Sequence, residues 1–193
     1  MKTVLVTGAS GFIGLHCVDQ LLSQGYEVRG TVRSLSRKDE LETALANRGH
    51  NLSKFQLFEA DLTCADGWEE AVAGCNFVLH VASPFILGVP KHEDELIKPA
   101  VSGVDYVISA AIKHKVSRVV ATSSGASITD THDGKTHFTE DDWTDTDHPK
   151  TPAYYKSKTL AERHAWHLIN AQKGILDNEN PKIIYMSDIE ASL

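Results

Sequence analysis

The sequence has little of what disulfide-stapled, membrane-spanning or nucleic-acid-binding proteins are made of. It holds three cysteines, Cys17, Cys64 and Cys75. The odd number and the lack of metal-ligand spacing speak against a disulfide framework and a zinc site, and suit free thiols in a reducing, cytoplasmic setting. No apolar run approaches the roughly 20 residues that cross a bilayer, and the apolar piece after Met1 is too short for the core of a signal peptide. No basic block interrupts a formal charge of −7, so neither nucleic acid nor a membrane is an expected partner. Internal repeats and low-complexity tracts are also missing. What remains is 193 residues, 41% hydrophobic and 23% charged. That is the make-up of a globular domain able to bury roughly 70% of its unfolded surface.

The chain alternates strand and helix. Thr3–Thr7 is a short β-branched run, and the glycine-rich segment after it leads into apolar residues at Ile13, Cys17, Leu21 and Leu22, a helical spacing that Gly25 stops. Glu27–Val32 reads as a second strand, Leu41 to about Gly49 as a helix, Phe55–Glu59 as a third strand and Trp68–Val72 as a short helix. Phe77–Val81 is a nearly all-apolar fourth strand, as in sheets covered on both faces. A helix from about Glu93 to Lys115, with Pro99 in its first turns, leads to a fifth strand, Arg118–Ser123. Residues 124–152, rich in aspartate and without periodicity, predict a functional loop or a partly disordered one. Pro152 suits the start of a helix over Ala153–Gln172, and Lys182–Ser187 reads as a sixth strand. Repeated β-α-β units predict an α/β fold, a doubly wound parallel sheet of about six strands with helices on both faces.

Gly8, Gly11 and Gly14 are three apart, between a predicted strand and a predicted helix. A dinucleotide pyrophosphate needs a tight turn, a close backbone approach and a helix N-terminus with open N–H groups. The run Gly8-Ala9-Ser10-Gly11-Phe12-Ile13-Gly14 offers these, although its spacing departs by one residue from G-x-G-x-x-G, and a ligand-free glycine turn would look alike locally. At the end of the second strand, where an NAD site places a carboxylate for the ribose 2′-hydroxyl, the chain has Arg33, with Arg37 and Lys38 beyond it. A guanidinium can fork to a 2′-phosphate and stack on adenine, so the expected cofactor is NADP(H).

Tyr154 and Lys158 are four apart on one helix face. A phenol in water holds its proton to near pH 10, and an ammonium beside it favours the phenolate. The pair therefore suits acid–base work on an oxygen, with Tyr155 on another face. Ser123 and Ser124, at the end of the fifth strand, each bring a hydroxyl to the sheet edge where such folds bind ligands, and either can orient a carbonyl oxygen.

In these stretches the chain resembles the extended short-chain dehydrogenase/reductases, the NAD-dependent epimerase/dehydratase superfamily. It is most similar to the dihydroflavonol-reductase-like branch, which includes the cinnamoyl-CoA reductases. The likeness runs over about residues 1–173, through Val6 to Gly14, Thr31-Val32-Arg33, Asp61-Leu62, His80-Val81-Ala82-Ser83-Pro84, Arg118 to Ser124 and Tyr154 to Glu162. It implies a triad of Ser124, Tyr154 and Lys158, with Ser123 as the alternative serine. It also implies that Asp61 and Leu62 border the adenine, that Val81, Ala82 and Ser83 line the path to the nicotinamide, and that Lys158 also holds the nicotinamide ribose.

The implied activity is NADPH-dependent reduction of a small-molecule aldehyde or ketone. A non-catalytic NADP-binding sensor, or a nucleotide-sugar epimerase or dehydratase, are the alternatives. Family members carry an Asn-Pro segment after the sixth strand and then a substrate lobe, whereas Lys182 to Asp188 lacks the Asn-Pro and the sequence stops at Leu193. The expectation is a dinucleotide-binding domain over residues 1–193, with 125–152 as an active-site loop, no C-terminal lobe, slow turnover, and self-association through Phe85, Ile86 and Leu87. Of the ten histidines, those other than His80, including His164 and His167, read as surface residues. His80 reads as a core or cofactor-adjacent one. Glu140-Asp141-Asp142 reads as a solvated loop anchored by Trp143, and the cysteines as core or helix-face residues. No metal is expected.

Overall fold

The structure, a computed structural model, describes residues 1–86, 88–172 and 182–186. Strands β1 (Thr3–Val6), β2 (Glu27–Val32), β3 (Phe55–Glu59), β4 (Phe77–His80), β5 (Arg118–Thr122) and β6 (Lys182–Met186) form one sheet in the order β3-β2-β1-β4-β5-β6. Every pairing is parallel. The helices are α1 (Phe12–Ser23), α2 (Lys38–Asn47), α3 (Trp68–Val72), α4 (Asp94–Lys113) and α5 (Ala153–Gln172). The expected doubly wound α/β sheet is present. Strand order reverses between β1 and β4, which opens a crevice beyond their C-terminal ends.

Alternation along the strands sends successive side chains to opposite faces. Val6, Val28 and Val32 pack with Val18 and Leu22 of α1 and Leu41 and Leu45 of α2. Leu5, Val78 and Val119 pack on the other face with Trp68, Val107, Ile108 and Ala165 from α3, α4 and α5. Burying each such side chain contributes about 1.5–3 kcal/mol.

Several expectations need adjusting. β4 and β5 each end one residue early, because the next polar groups turn aside. The Ala82 amide donates to the Thr7 hydroxyl, and the Ser123 hydroxyl turns to Ser127 and Glu162. The buried stripe of α1 is Gly14, Val18 and Leu22, while Ile13 is exposed. α4 stops at Lys113, two residues short, and Lys115 takes a positive φ of 53°. Cys64 lies in an exposed turn rather than in the core or on a helix face. Residues 124–152 are an anchored loop rather than a partly disordered one. A one-turn 3-10 helix, Gly125–Ser127, opens it, and Thr144 bonds through its amide to Ser127 O at 2.8 Å and through its hydroxyl to Ala126 O at 2.7 Å. Leu87, and the chain beyond Met186 with Ser187 and Asp188, lie outside the described residues.

Candidate active site

β1 delivers the chain into the glycine turn. Gly8 has φ +68°, and a Cβ there would sit 3.2 Å from Ala82. The Gly11 amide closes the turn on Gly8 O at 2.9 Å, and Gly11 caps α1 without a side chain in the way. A Cβ on Gly14 would stand 2.2 Å from Gly8 O, so only glycine lets α1 seat against the turn. The first amides of α1 thus face the crevice without intrahelical partners.

The crevice is a groove of about 830 Å3, large enough for a dinucleotide. Of the residues singled out for cofactor binding, Gly8, Ser10, Gly11, Phe12, Ile13 and Gly14 line it, whereas Tyr154 and Lys158 do not. Arg33, Asp61, Leu62, Val81, Ala82 and Ser83 line it as well. Arg37 and Lys38 do not line it. Arg37 forks onto Glu40 at 2.7 and 2.8 Å, and Lys38 pairs with Glu42 at 3.7 Å. Arg33 therefore is the cation of the groove among its described lining residues. The Thr63 hydroxyl and amide, at 2.6 and 2.7 Å, hold the Asp61 carboxyl below its usual range, and the Arg33 charge adds to this. Trp68 fixes the same turn by donating to the carbonyls of Asp61 and Cys64.

Tyr154, Tyr155 and Lys158 lie at the start of α5. Lys158 is buried, with Nζ 5.9 Å from the Tyr154 ring centre. The ring of Phe85, from the groove, meets Tyr154 edge-on at 6.1 Å. Lys158 lines a small chamber of about 20 Å3 that shares Ala82 and Ser83 with the lining of the groove. The two serines differ in surroundings. Ser123 is buried, 3.0 Å from Ser127 Oγ and donating to Glu162. Ser124 is less buried and uses its hydroxyl oxygen to cap the 3-10 helix, accepting from the Ala126 amide at 3.2 Å. Ser124 lines neither the groove nor the chamber.

His80, at the end of β4, is wholly buried. The Thr7 hydroxyl accepts the Ala82 amide at 2.9 Å and is hydrogen-bonded to His80 Nδ1 at 2.9 Å. Burial, with the Lys158 charge adding, pushes its pKa from 6.5 to about 4. It is a neutral strut that fixes Ala82, not a base.

Sequence reasoning assigned no role to Thr63, Trp68, Glu95 and Pro99, which also line the groove. Only Thr63 carried a signal, following Asp61-Leu62 directly. Phe12, Phe85 and Ile86 expose apolar surface at the groove, the first two at 81% and 71%. Elsewhere His164 bonds Asp105 at 2.8 Å, Asp142 pairs with Lys135, and Arg163 lies over Trp143 at 5.0 Å. No helix of the described residues is long and apolar enough to cross a membrane.

Residues 4–176 match the NAD dependent epimerase/dehydratase family. An anthocyanidin reductase ((2S)-flavan-3-ol-forming) of Vitis vinifera is 39% identical over 173 residues, 86% of this chain and 51% of that protein. A dihydroflavonol 4-reductase of Arabidopsis thaliana is 37% identical over 171 residues, 86% of this chain and 44% of that one. Among solved structures, a yeast methylglyoxal/isovaleraldehyde reductase complexed with NADPH superposes with a TM-score of 0.79 at 30% identity, covering 96% of this chain and 56% of that one. Vestitone reductase from alfalfa (Medicago sativa L.) gives 0.76 at 30% identity, covering 96% and 56%. The chain spans about half the length of the curated relatives it matches.

Proposed function

The chain belongs to the NAD dependent epimerase/dehydratase family, and on that premise we propose that it binds NADPH and reduces a small-molecule aldehyde or ketone to an alcohol. The observation that carries this reading is the shared wall. Ala82 and Ser83 line both the groove and the chamber of Lys158, which supports a dinucleotide in the groove reaching toward Tyr154 and Lys158. The reductases among the relatives, one of them complexed with NADPH, support it.

In this reading residues 1–193 form the dinucleotide-binding unit, and 125–152 are its active-site loop. The N-terminus of α1, with Gly8, Ser10, Gly11, Phe12, Ile13 and Gly14, holds the pyrophosphate. Arg33 takes the 2′-phosphate and stacks on the adenine. Arg37 and Lys38 add nearby charge from within their surface ion pairs, which are weak enough to rearrange. Asp61 and Leu62 border the adenine, and Val81, Ala82 and Ser83 guide the cofactor toward Tyr154. NADPH, when bound, would supply the hydride for the carbonyl carbon. Tyr154 gives a proton to the carbonyl oxygen as it gains charge, Lys158 favours the phenolate left behind and holds the nicotinamide ribose, and Ser124 orients the oxygen. Ser124 suits this role better than Ser123, whose hydroxyl is buried and engaged by Ser127 and Glu162.

The test follows NADPH oxidation with a panel of small aldehydes and ketones. Tyr154→Phe should lower turnover about a hundredfold or more and leave NADPH affinity nearly unchanged, because it removes the proton source and no phosphate contact. Unchanged turnover in that variant would overturn the assignment.

A further inference from the structure

Lys158 is buried. Removing an ammonium from water costs several kcal/mol unless an opposite charge accompanies it. The walls of its chamber show what can do so. His80 cannot, because it is neutral and the Lys158 charge opposes its protonation. Tyr154 presents its ring, at 5.9 Å. Among the described residues that line the chamber, Glu162 is the single carboxylate. It follows Lys158 by four residues, one turn along the same face of α5. Its Oε2 accepts from the Ser123 hydroxyl, which also lies 3.0 Å from Ser127 Oγ. Trp166 Nε1 reaches its other oxygen at 3.5 Å. Ser124, between Ser123 and the 3-10 helix, therefore projects from a turn that this carboxylate ties to α5.

We propose that Glu162 is a positioning residue, supplying the counter-charge that keeps the Lys158 ammonium in its buried chamber and, through Ser123, holding the Ser124 turn against the same helix. The proposal rests on the reading of Lys158 and Ser124 as active-site groups, but its test does not need substrate. The chain carries 15N-labelled lysine, and the Lys158 Nζ signal is assigned by its loss in Lys158→Met. Glu162→Gln keeps an acceptor for Ser123 and removes the charge. It should lower the pH at which the Lys158 signal titrates by about one unit or more. Ser123→Ala should leave that titration in place while lowering the melting temperature, which separates the charge from the brace. In the active enzyme, the alkaline limb of turnover should move down with the Lys158 signal in Glu162→Gln.

Should Glu162→Gln fail to fold, Glu162→Asp carries the test. It withdraws the charge by one methylene and should lower the titration by a smaller amount. A Lys158 signal that titrates unmoved in the folded variant overturns the proposal. Absence of turnover with every carbonyl would instead sink the reductase reading and leave the lysine titration to decide this one.

Discussion

Acid should weaken this fold through His80 before it weakens it through any carboxylate. The His80 imidazole is enclosed at the end of β4, with Nδ1 held by Thr7 and its pKa moved from 6.5 to about 4. Below pH 6.5 the unfolded chain takes up a proton that the folded chain refuses. Stability is therefore intact above 6.5 and falls as pH drops toward 4. A gap of about 2.5 pH units at about 1.4 kcal/mol each amounts to about 3.5 kcal/mol in full, of which about 2 kcal/mol is gone by pH 5. The hydrogen-bonded carboxylates of Asp19, Glu40, Asp61, Glu69, Asp133 and Asp142 titrate below their usual values, so their losses begin at lower pH. Urea unfolding at about pH 7.5 and about pH 5 isolates the histidine. In His80→Asn, whose side-chain amide can either donate to or accept from Thr7, the difference between the two pH values should shrink by about 2 kcal/mol. An equal loss in variant and parent would refute the burial argument.

Gly14→Ala should abolish NADPH binding in a fluorescence titration, because its Cβ would meet Gly8 O at 2.2 Å and push α1 off the turn. Ser123→Ala, which removes the hydroxyl donor to Glu162 Oε2, should cost about 1–3 kcal/mol in urea unfolding. Sedimentation velocity should show concentration-dependent self-association that Phe85→Ser reduces, since Phe85 and Val89 are 71% and 95% exposed beside the exposed Ile86.

The parts of the fold that were legible in the sequence have local causes. β2 and β3 run over Glu27–Val32 and Phe55–Glu59 as expected, because apolar and β-branched runs there end at polar turns. α5 spans Ala153–Gln172, with Pro152 before its first turn. The parallel sheet of about six strands followed from the β-α-β rhythm. What was not legible depends on partners distant in sequence. Arg37 and Lys38 read as charge close to Arg33, and nothing local showed that Glu40 and Glu42 pair with them. Ile13 sits at helical spacing with Cys17, yet the first turn of α1 overhangs the groove and leaves it exposed. The contrast between Ser123 and Ser124 is set by Glu162, 39 residues from Ser123, and no local pattern carries it.

The central claim is that this groove selects NADPH. Calorimetric titration of the chain with NADPH and with NADH tests it most directly, alongside Arg33→Asp, which exchanges the single groove cation among its described lining residues for a carboxylate suited to a ribose 2′-hydroxyl. The account predicts tighter binding of NADPH than of NADH by the parent, and the reverse order in Arg33→Asp. Equal affinities in the parent, or a preference for NADH, would contradict it.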